Sequence, residues 1–390
     1  MKVPDNLLFS ILQEQEARIK EGLLDKTLEI STGRKYRSIS DEPAATYDVL
    51  NLKKDIAQLS QHSKNRLFAD TALSYVEFNL GKIEDTLRLL YTKAIQAKNQ
   101  ILQEEQLRAV GEVFTSSLRY LLDRVNEKLG QNYLFGGASL TKKAFDENTL
   151  EYIASVEDFE VWLTDNYKAK VFLNGEKTFE LNVAISEASF TSPDSNFTNS
   201  GTLSITVGST NISLNYSTTQ TLTDLVNTIN SNYSDIMHAE VGQNPDGSYS
   251  LVIAPTRIDD DITVSDASGG DFNTGQQDFY KPNVLQAIKR VGDKLTSGFY
   301  TDDSDLILLQ RAFERVSLKR SQVGSALSQV KNLQPVQESL SDNLNRQKSD
   351  IEDADLAESI MEYTRYKLAY EALMNIIAEQ KGITILKYLR

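Results

Sequence analysis

Few residues of this 390-residue chain have side chains suited to chemistry. There is no cysteine, so disulfides, thiolate nucleophiles and thiolate metal ligands are excluded. The two histidines, His62 and His238, are far apart and neither sits in a local ligand pattern. His62 lies among polar residues of a helical segment and His238 near a strand start. Both are expected to be structural or solvent-facing. The densest acidic run, Asp259-Asp260-Asp261, has the oxygen chemistry that Ca²⁺ prefers. Consecutive strand residues point to opposite faces, however, so three in a row make a poor cage, and a charged loop is expected. The chain has no Gly-rich phosphate loop, Gly-x-Ser-x-Gly elbow or His-Glu-x-x-His pair. The expectation is no enzyme, with no catalytic, cofactor-binding or metal residues.

Composition narrows the partners. A net charge of −14 argues against nucleic acid and against an anionic membrane surface. No apolar run approaches the roughly 18–20 residues of a membrane span. Met1-Lys2-Val3-Pro4-Asp5-Asn6 lacks the charged-then-apolar pattern of a cleaved signal peptide. The expectation is a cytoplasmic protein, or one exported by a route needing no cleaved signal. Absence of cysteine also suits a chain that travels unfolded.

The informative pattern lies in the elements. Residues 5–31 carry Leu8, Leu12, Ile19, Leu23 and Leu28 on one narrow stripe, interrupted by Gly22. Such a helix is marginal alone and needs a partner. Ser31-Thr32-Gly33 ends it, with Gly33 as a C-cap. Ser40-Asp41-Glu42-Pro43 predicts the start of a second, long helix. Along it Leu73, Val76, Leu80, Ile83, Leu87, Leu90, Ala94, Ala97 and Ile101 hold strict heptad spacing, the pattern of a coiled-coil seam. A further run from Leu107 to Leu129 is read as helix ending at Gly130, before Tyr133-Leu134-Phe135-Gly136-Gly137.

The character then changes. Between Lys177 and Lys281 the only Lys or Arg is Arg257, and Ser, Thr, Asn, Asp and Gly dominate. Leu203, Ile205 and Val207 with Ile212 and Leu214 predict a strand pair turning at Gly208-Ser209-Thr210-Asn211. Thr221 caps a short helix. Ala239–Val241 and Tyr249–Ile253 predict a hairpin around Asn244-Pro245-Asp246-Gly247. Helix resumes near Pro282. Leu306, Leu309, Phe313, Val316, Arg320, Val323, Leu327 and Val330 keep heptad spacing with Arg320 alone polar. Pro335 is expected to kink or restart that helix. Ser349-Asp350-Ile351-Glu352-Asp353 predicts the start of a last helix, and Gly382 its end, before an apolar tail from Ile383 to Arg390.

Four segments together resemble bacterial flagellins. Glu29-Ile30-Ser31-Thr32-Gly33-Arg34-Lys35 resembles the family's Ser-Ser/Thr-Gly-Lys/Arg motif. Ser40-Asp41-Glu42-Pro43-Ala44-Ala45 and Gln131-Asn132-Tyr133-Leu134-Phe135-Gly136-Gly137 are similar to motifs of the family's hook–filament junction branch. Ser349-Asp350-Ile351-Glu352-Asp353-Ala354-Asp355 resembles the family's start of the C-terminal helix. The resemblance covers about 1–140 and 284–390. Glu42 replaces the branch's usual Asp, and Tyr388-Leu389-Arg390 lies between the endings of junction proteins and filament flagellins.

The resemblance implies a mainly α chain with an inserted α+β module, its termini forming a long antiparallel coiled-coil-like bundle in a flagellin-like rod. Residues 1–40 are expected to be a polymerisation helix pairing with 350–390, residues 41–140 a rod core pairing with 284–349, and 141–283 the exposed insertion. It implies a structural adaptor between flagellar hook and filament, outside the cell, exported unfolded by the flagellar type III system. The alternative is a bulk filament flagellin. Implied partners are further copies in a head-to-tail helical assembly, the other hook-associated protein, flagellin, and a cytosolic export chaperone on the C-terminal region. The expected assembly residues are Leu8, Leu12, Ile19 and Leu23 with Ile360, Tyr363, Met374 and Ile377.

Overall fold

The computed structural model of the chain describes residues 5–36, 42–99, 102–275 and 277–388. Helix α1 (Asp5–Thr32) is followed by α2 (Pro43–Asn99) and α3 (Glu104–Val125). A two-residue hairpin, β1 (Lys128–Leu129) and β2 (Asn132–Tyr133), and a longer one, β3 (Phe159–Thr164) and β4 (Tyr167–Phe172), come next. Then follow α4 (Gly175–Phe179), β5 (Ala184–Ser186), β6 (Gly201–Val207), β7 (Thr210–Tyr216), α5 (Leu222–Tyr233), β8 (Met237–Gln243), β9 (Tyr249–Pro255), β10 (Ile262–Ser265) and β11 (Phe279–Tyr280). The chain returns to helix in α6 (Val284–Thr296), α7 (Asp303–Glu352) and α8 (Leu356–Tyr388). The fold is mainly helical with a sheet-containing module, as the sequence implied.

Two compact units are present. One comprises residues 1–63 and 334–390, the other residues 64–333. In the larger unit the α2 heptad positions from Leu73 to Ala97 are all fully buried. They join one continuous core with Leu309, Val316, Val323 and Val330 of α7 and with apolar residues of α3 and α6. Ile101, the last heptad position, lies outside the described residues, as do Ser40 and Asp41. Arg320, the polar exception in the α7 series, is no defect. Its Nε donates to Glu77 at 2.8 Å and its guanidinium reaches Glu84 at 3.0 Å, so the seam closes on an ion triad.

The inserted module is antiparallel throughout. Strands β10-β6-β7 form one sheet and β11-β5-β9-β8 another. The predicted pairs appear in register, with Leu203 opposite Leu214, Ile205 opposite Ile212 and Ala239 opposite Ile253. Thr221 caps α5 in a reciprocal capping box with Asp224. A second core fills the module, with Phe190, Phe197, Tyr216, Phe272 and Phe279 packed ring to ring. Asp259–Asp261 lie in the loop between β9 and β10, where Asp261 pairs with Lys281 at 2.8 Å.

Four boundaries differ from expectation. α3 stops at Val125 rather than Gly130, because Asn126 leaves the helix to bond both the N–H and the C=O of Phe145. Pro335 does not restart a helix, because α7 runs through it. Pro335 and Lys331, whose carbonyl loses its partner, are both exposed, so water can satisfy the freed group. The 349–353 signal belongs to the end of α7, and α8 instead starts under Asp355, whose Oδ1 accepts from Ala357 and Glu358 N–H. Gly382 lies inside α8, where its cost of about 1 kcal/mol is small against a 33-residue helix.

Candidate assembly interface

The smaller unit is organised by α1 and α8, which lie antiparallel. As numbering rises along α1, contacts fall along α8: Lys20 lies over the Tyr370 ring, Gly22 meets Tyr366, Lys26 meets Glu362, and Glu29 meets Ser359. Gly22, which interrupts the apolar stripe in the sequence, lies against the Tyr366 ring. A Cβ there would stand 2.7 Å from the Tyr366 ring, so only glycine lets that ring lie on the α1 backbone. Lys26 Nζ bridges Glu29 at 2.8 Å and Glu362 at 2.9 Å. These hydrogen bonds, Glu29 first, raise the lysine above its ordinary range.

Below this pair, two of the motifs singled out in the sequence meet each other. Gly33 takes φ +69° and ends α1, which turns Arg34 and Lys35 toward the α7–α8 junction. Arg34 pairs with Asp353 in a β-bridge. The Lys35 N–H donates to Glu352 O and the Ala354 N–H to Gly33 O, both at 2.9 Å. The Glu352 carboxylate then gathers Lys53 at 2.9 Å, Arg34 at 3.3 Å and Lys348 at 3.6 Å. Burial opposes its ionisation, but Lys53, Arg34 and Lys348 outweigh that and hold the carboxyl below its usual range. Ser349 closes the turn on Asp353.

The predicted assembly residues fall in three places. Leu12, Ile19 and Leu23 on α1, and Tyr363 and Ile377 on α8, are half-buried. Ile360 and Met374 face solvent, at 51% and 41% exposure. Leu8 lies outside the described side chains. Sequence reasoning missed the outward surface of the pair. Leu356, Met361, Leu368 and Ile376 on α8, with Leu7, Ile11 and Leu24 on α1, are all exposed. Apolar residues of α8 lie on several sides of the helix, interspersed with charged ones, so no single face holds them all. It also missed Gly22, Lys26 and the Glu352 cluster. A glycine inside a helical stripe, and an Arg-Lys motif paired in the same family with a Glu-Asp motif, were the available signals.

The junction-type segment Tyr133–Gly137 has a different job. Leu134 and Phe135 are fully buried in the larger unit, Phe135 stacking edge-on against Phe179 with ring centroids 4.9 Å apart. It is a packing element of that core.

Terminal helices paired with each other, with a sheet-containing module between them in the chain, define a class of mainly helical proteins. The N-terminal helical region of bacterial flagellin matches residues 3–139 and its C-terminal helical region residues 306–389, together more than half of the chain. The chain belongs to the bacterial flagellin family. It is 24% identical over 153 residues to flagellar hook-associated protein 3 of Escherichia coli K12, and 26% identical over 125 residues to that of Salmonella typhimurium LT2. These stretches cover 39% and 32% of this chain, and 48% and 39% of the relatives, so the chain spans about half the length of the curated relatives it matches. The crystal structure of flagellar hook-associated protein 3 from Legionella pneumophila shares the fold. Its TM-score is 0.52 at 16% identity, covering 78% of this chain and 98% of that one. Among the described residues no helix is long and apolar enough to cross a membrane.

Proposed function

We propose that the chain is a structural, non-catalytic subunit of the bacterial flagellum that forms the adaptor layer between hook and filament. The observation that carries this is the outward apolar surface on both members of the α1–α8 pair, in a chain of the flagellin family. Exposed residues such as Leu356, Ile360, Met361 and Leu368 are a liability on a free monomer and a contact surface in an assembly. Neighbouring copies would cover them head-to-tail, which builds an open helical layer rather than a closed dimer. On this reading residues 1–40 and 350–390 are the polymerisation element, 41–140 and 284–349 the rod core, and 141–283 the exposed insertion.

The junction position, rather than the bulk filament, is supported by the similarity to the two hook-associated proteins 3 and by Pro43 with the Tyr133–Gly137 segment. Its neighbours would then be the other hook-associated protein on one side and flagellin on the other. Export would run through the flagellar type III channel without a cleaved signal, with a cytosolic chaperone shielding the apolar C-terminal region beforehand.

Electron microscopy of flagella labelled for this protein tests the reading. A narrow band of label at the hook boundary is expected. Label along the whole filament would move the chain to the filament-subunit reading. Deletion should leave hooks intact while flagellin is exported but fails to attach.

A further inference from the structure

Where α6 gives way to α7, the larger unit buries more charge than it balances. The fully buried Lys294 ammonium contacts Asp302 Oδ2 at 2.6 Å and Asp305 Oδ2 at 2.7 Å. Asp305 is fully buried too, so two carboxylates face one cation, and Asp305 Oδ1 has no hydrogen-bond partner. Asp302 is better provided for. It accepts from the Gln243 N–H, the Asp305 N–H and the Ser304 hydroxyl.

Desolvation penalises every charge in such a group. An ordinary ion pair carries that penalty permanently, but this one has a chemical way out. An ammonium and a carboxylate condense to an uncharged amide with loss of one water. Condensation of Lys294 with Asp305 would leave Asp302 as the single charge of the triad, with its donors intact. The new amide N–H would stand where Nζ now contacts Asp302 Oδ2. The reacting atoms are close. With a carbon–oxygen bond of about 1.2 Å, the Asp305 carboxyl carbon lies within about 4 Å of Nζ. Near-attack separations are about 3–3.5 Å, and groups held there reach effective molarities of roughly 10⁵–10⁸ M. Burial also withholds the water that would hydrolyse the product. Burial, then the Asp302 charge, push the Asp305 carboxyl up to about 6, toward the acid form that an amine attacks.

We propose that Lys294 and Asp305 join after folding in an intramolecular isopeptide bond, with Asp302 as the proton carrier. The ammonium gives one proton to Asp305 Oδ2, leaving a neutral amine and a neutral acid. Nζ then adds to Cγ of Asp305. Asp302 takes a second proton from the nitrogen and returns it to the departing hydroxyl, which leaves as water. One N–C bond forms, one C–O bond breaks, no oxidation state changes, and Asp302 ends as the carboxylate it was. The bond would staple the end of α6 to the start of α7 in a chain that has no cysteine for a disulfide. Chains that have not condensed keep the ion triad. The proposal is independent of the assembly reading, because all three residues belong to the larger unit.

Mass spectrometry of the folded full-length protein, intact and after tryptic digestion of the denatured chain, tests it. The intact mass should fall short of the sequence by one water. Trypsin should fail to cut after the acylated Lys294, so that one peptide spanning 291–311 carries the loss and gives no backbone fragments between 294 and 305. Lys294→Arg should restore the full mass. In full-length protein sampled during cell-free synthesis, Asp302→Asn should slow the appearance of the link on the order of 100-fold, as loss of a general base does. If neither variant folds, the wild-type mass and peptide map still decide. A wild type at full mass, or a water loss that leaves cleavage after Lys294 intact, overturns the proposal. A link that forms equally fast in Asp302→Asn overturns the role given to Asp302.

Discussion

Replacing Lys294 with Met should unsettle the corner where α6 turns into α7. Lys294 is completely buried and its ammonium binds two carboxylates, Asp302 at 2.6 Å and Asp305 at 2.7 Å. The two acids are not equivalent. Asp302 also accepts from the Gln243 and Asp305 N–H groups and the Ser304 hydroxyl, and its side chain is 28% exposed. Asp305 is fully buried, and its Oδ1 has no partner. Burial, with the neighbouring Asp302 charge, pushes Asp305 up to about 6 even with the lysine present. Without the lysine an uncompensated carboxylate remains in the core. Breaking a buried pair in this way costs about 3–5 kcal/mol. The lysine and Asp305 are inaccessible, so no discount for solvent screening applies. For a unit of this size that corresponds to roughly 10 °C in Tm.

The sign of the pH dependence follows. The folded state holds the Asp305 proton more tightly than the unfolded chain. This group therefore favours folding most at low pH, and that contribution is lost as pH rises from about 4 to about 6. The Lys294→Met deficit should accordingly be large at pH 7.5 and smaller at pH 5. Lys294→Met/Asp305→Leu should recover at least half of it, because the buried charge leaves with its partner. Urea unfolding of the monomer at both pH values, with the m-value held as a check, measures all three proteins. A loss below about 1 kcal/mol for the single variant at pH 7.5, or a double variant no better than the single, would refute the reasoning.

Gly22→Ala should gain about 1 kcal/mol of helix propensity yet lose more, since overpacking of the Tyr366 ring costs about 1–3 kcal/mol. Amide exchange in α1 should speed up, and Tyr366→Ala in the same chain should restore protection. Glu352→Gln removes the anchor of Lys53, Arg34 and Lys348, and proteolysis near Gly33 should accelerate. In the unaltered protein the depressed Glu352 carboxyl contributes stability that is present above the usual glutamate pKa of about 4.3. It is lost as pH falls through the lower folded value, so α1 should release from the α7–α8 junction in acid before the larger unit melts. Ile360→Asp should leave monomer unfolding within about 0.5 kcal/mol, because the side chain is 51% exposed, while raising the critical concentration for polymerisation about tenfold. Unchanged polymerisation of that variant would remove α8's outward face from the interface.

Much of the molecule was legible as periodicity. The heptad positions from Leu73 to Ala97 and from Leu309 to Val330 needed no tertiary knowledge, because a 3.5-residue repeat has one low-energy solution, a buried seam. The hairpins around Gly208 and Gly247 were equally local, set by alternation and turn residues. The β3–β4 hairpin escaped notice, its register interrupted by irregularities and its apolar positions shared between faces.

Sequence by itself determined the helix-rich ends, the sheet-containing middle, the buried seams and the family, because these rest on spacing and on short motifs. Only the tertiary structure decided how the ends close. Glu352-Asp353 carries every local sign of a helix start, yet it ends α7, because Gly33–Lys35 compete for its backbone. Gly22 looks like a weak point in a stripe and is a socket for a ring 344 residues away in the chain. Lys294, Asp302 and Asp305 are ordinary charged residues in sequence, and burial alone makes them a coupled group. Which apolar residues of α8 face outward was also beyond sequence. A helix apolar on several sides has no unique inward face until a neighbour is placed beside it, and α1 covers only one.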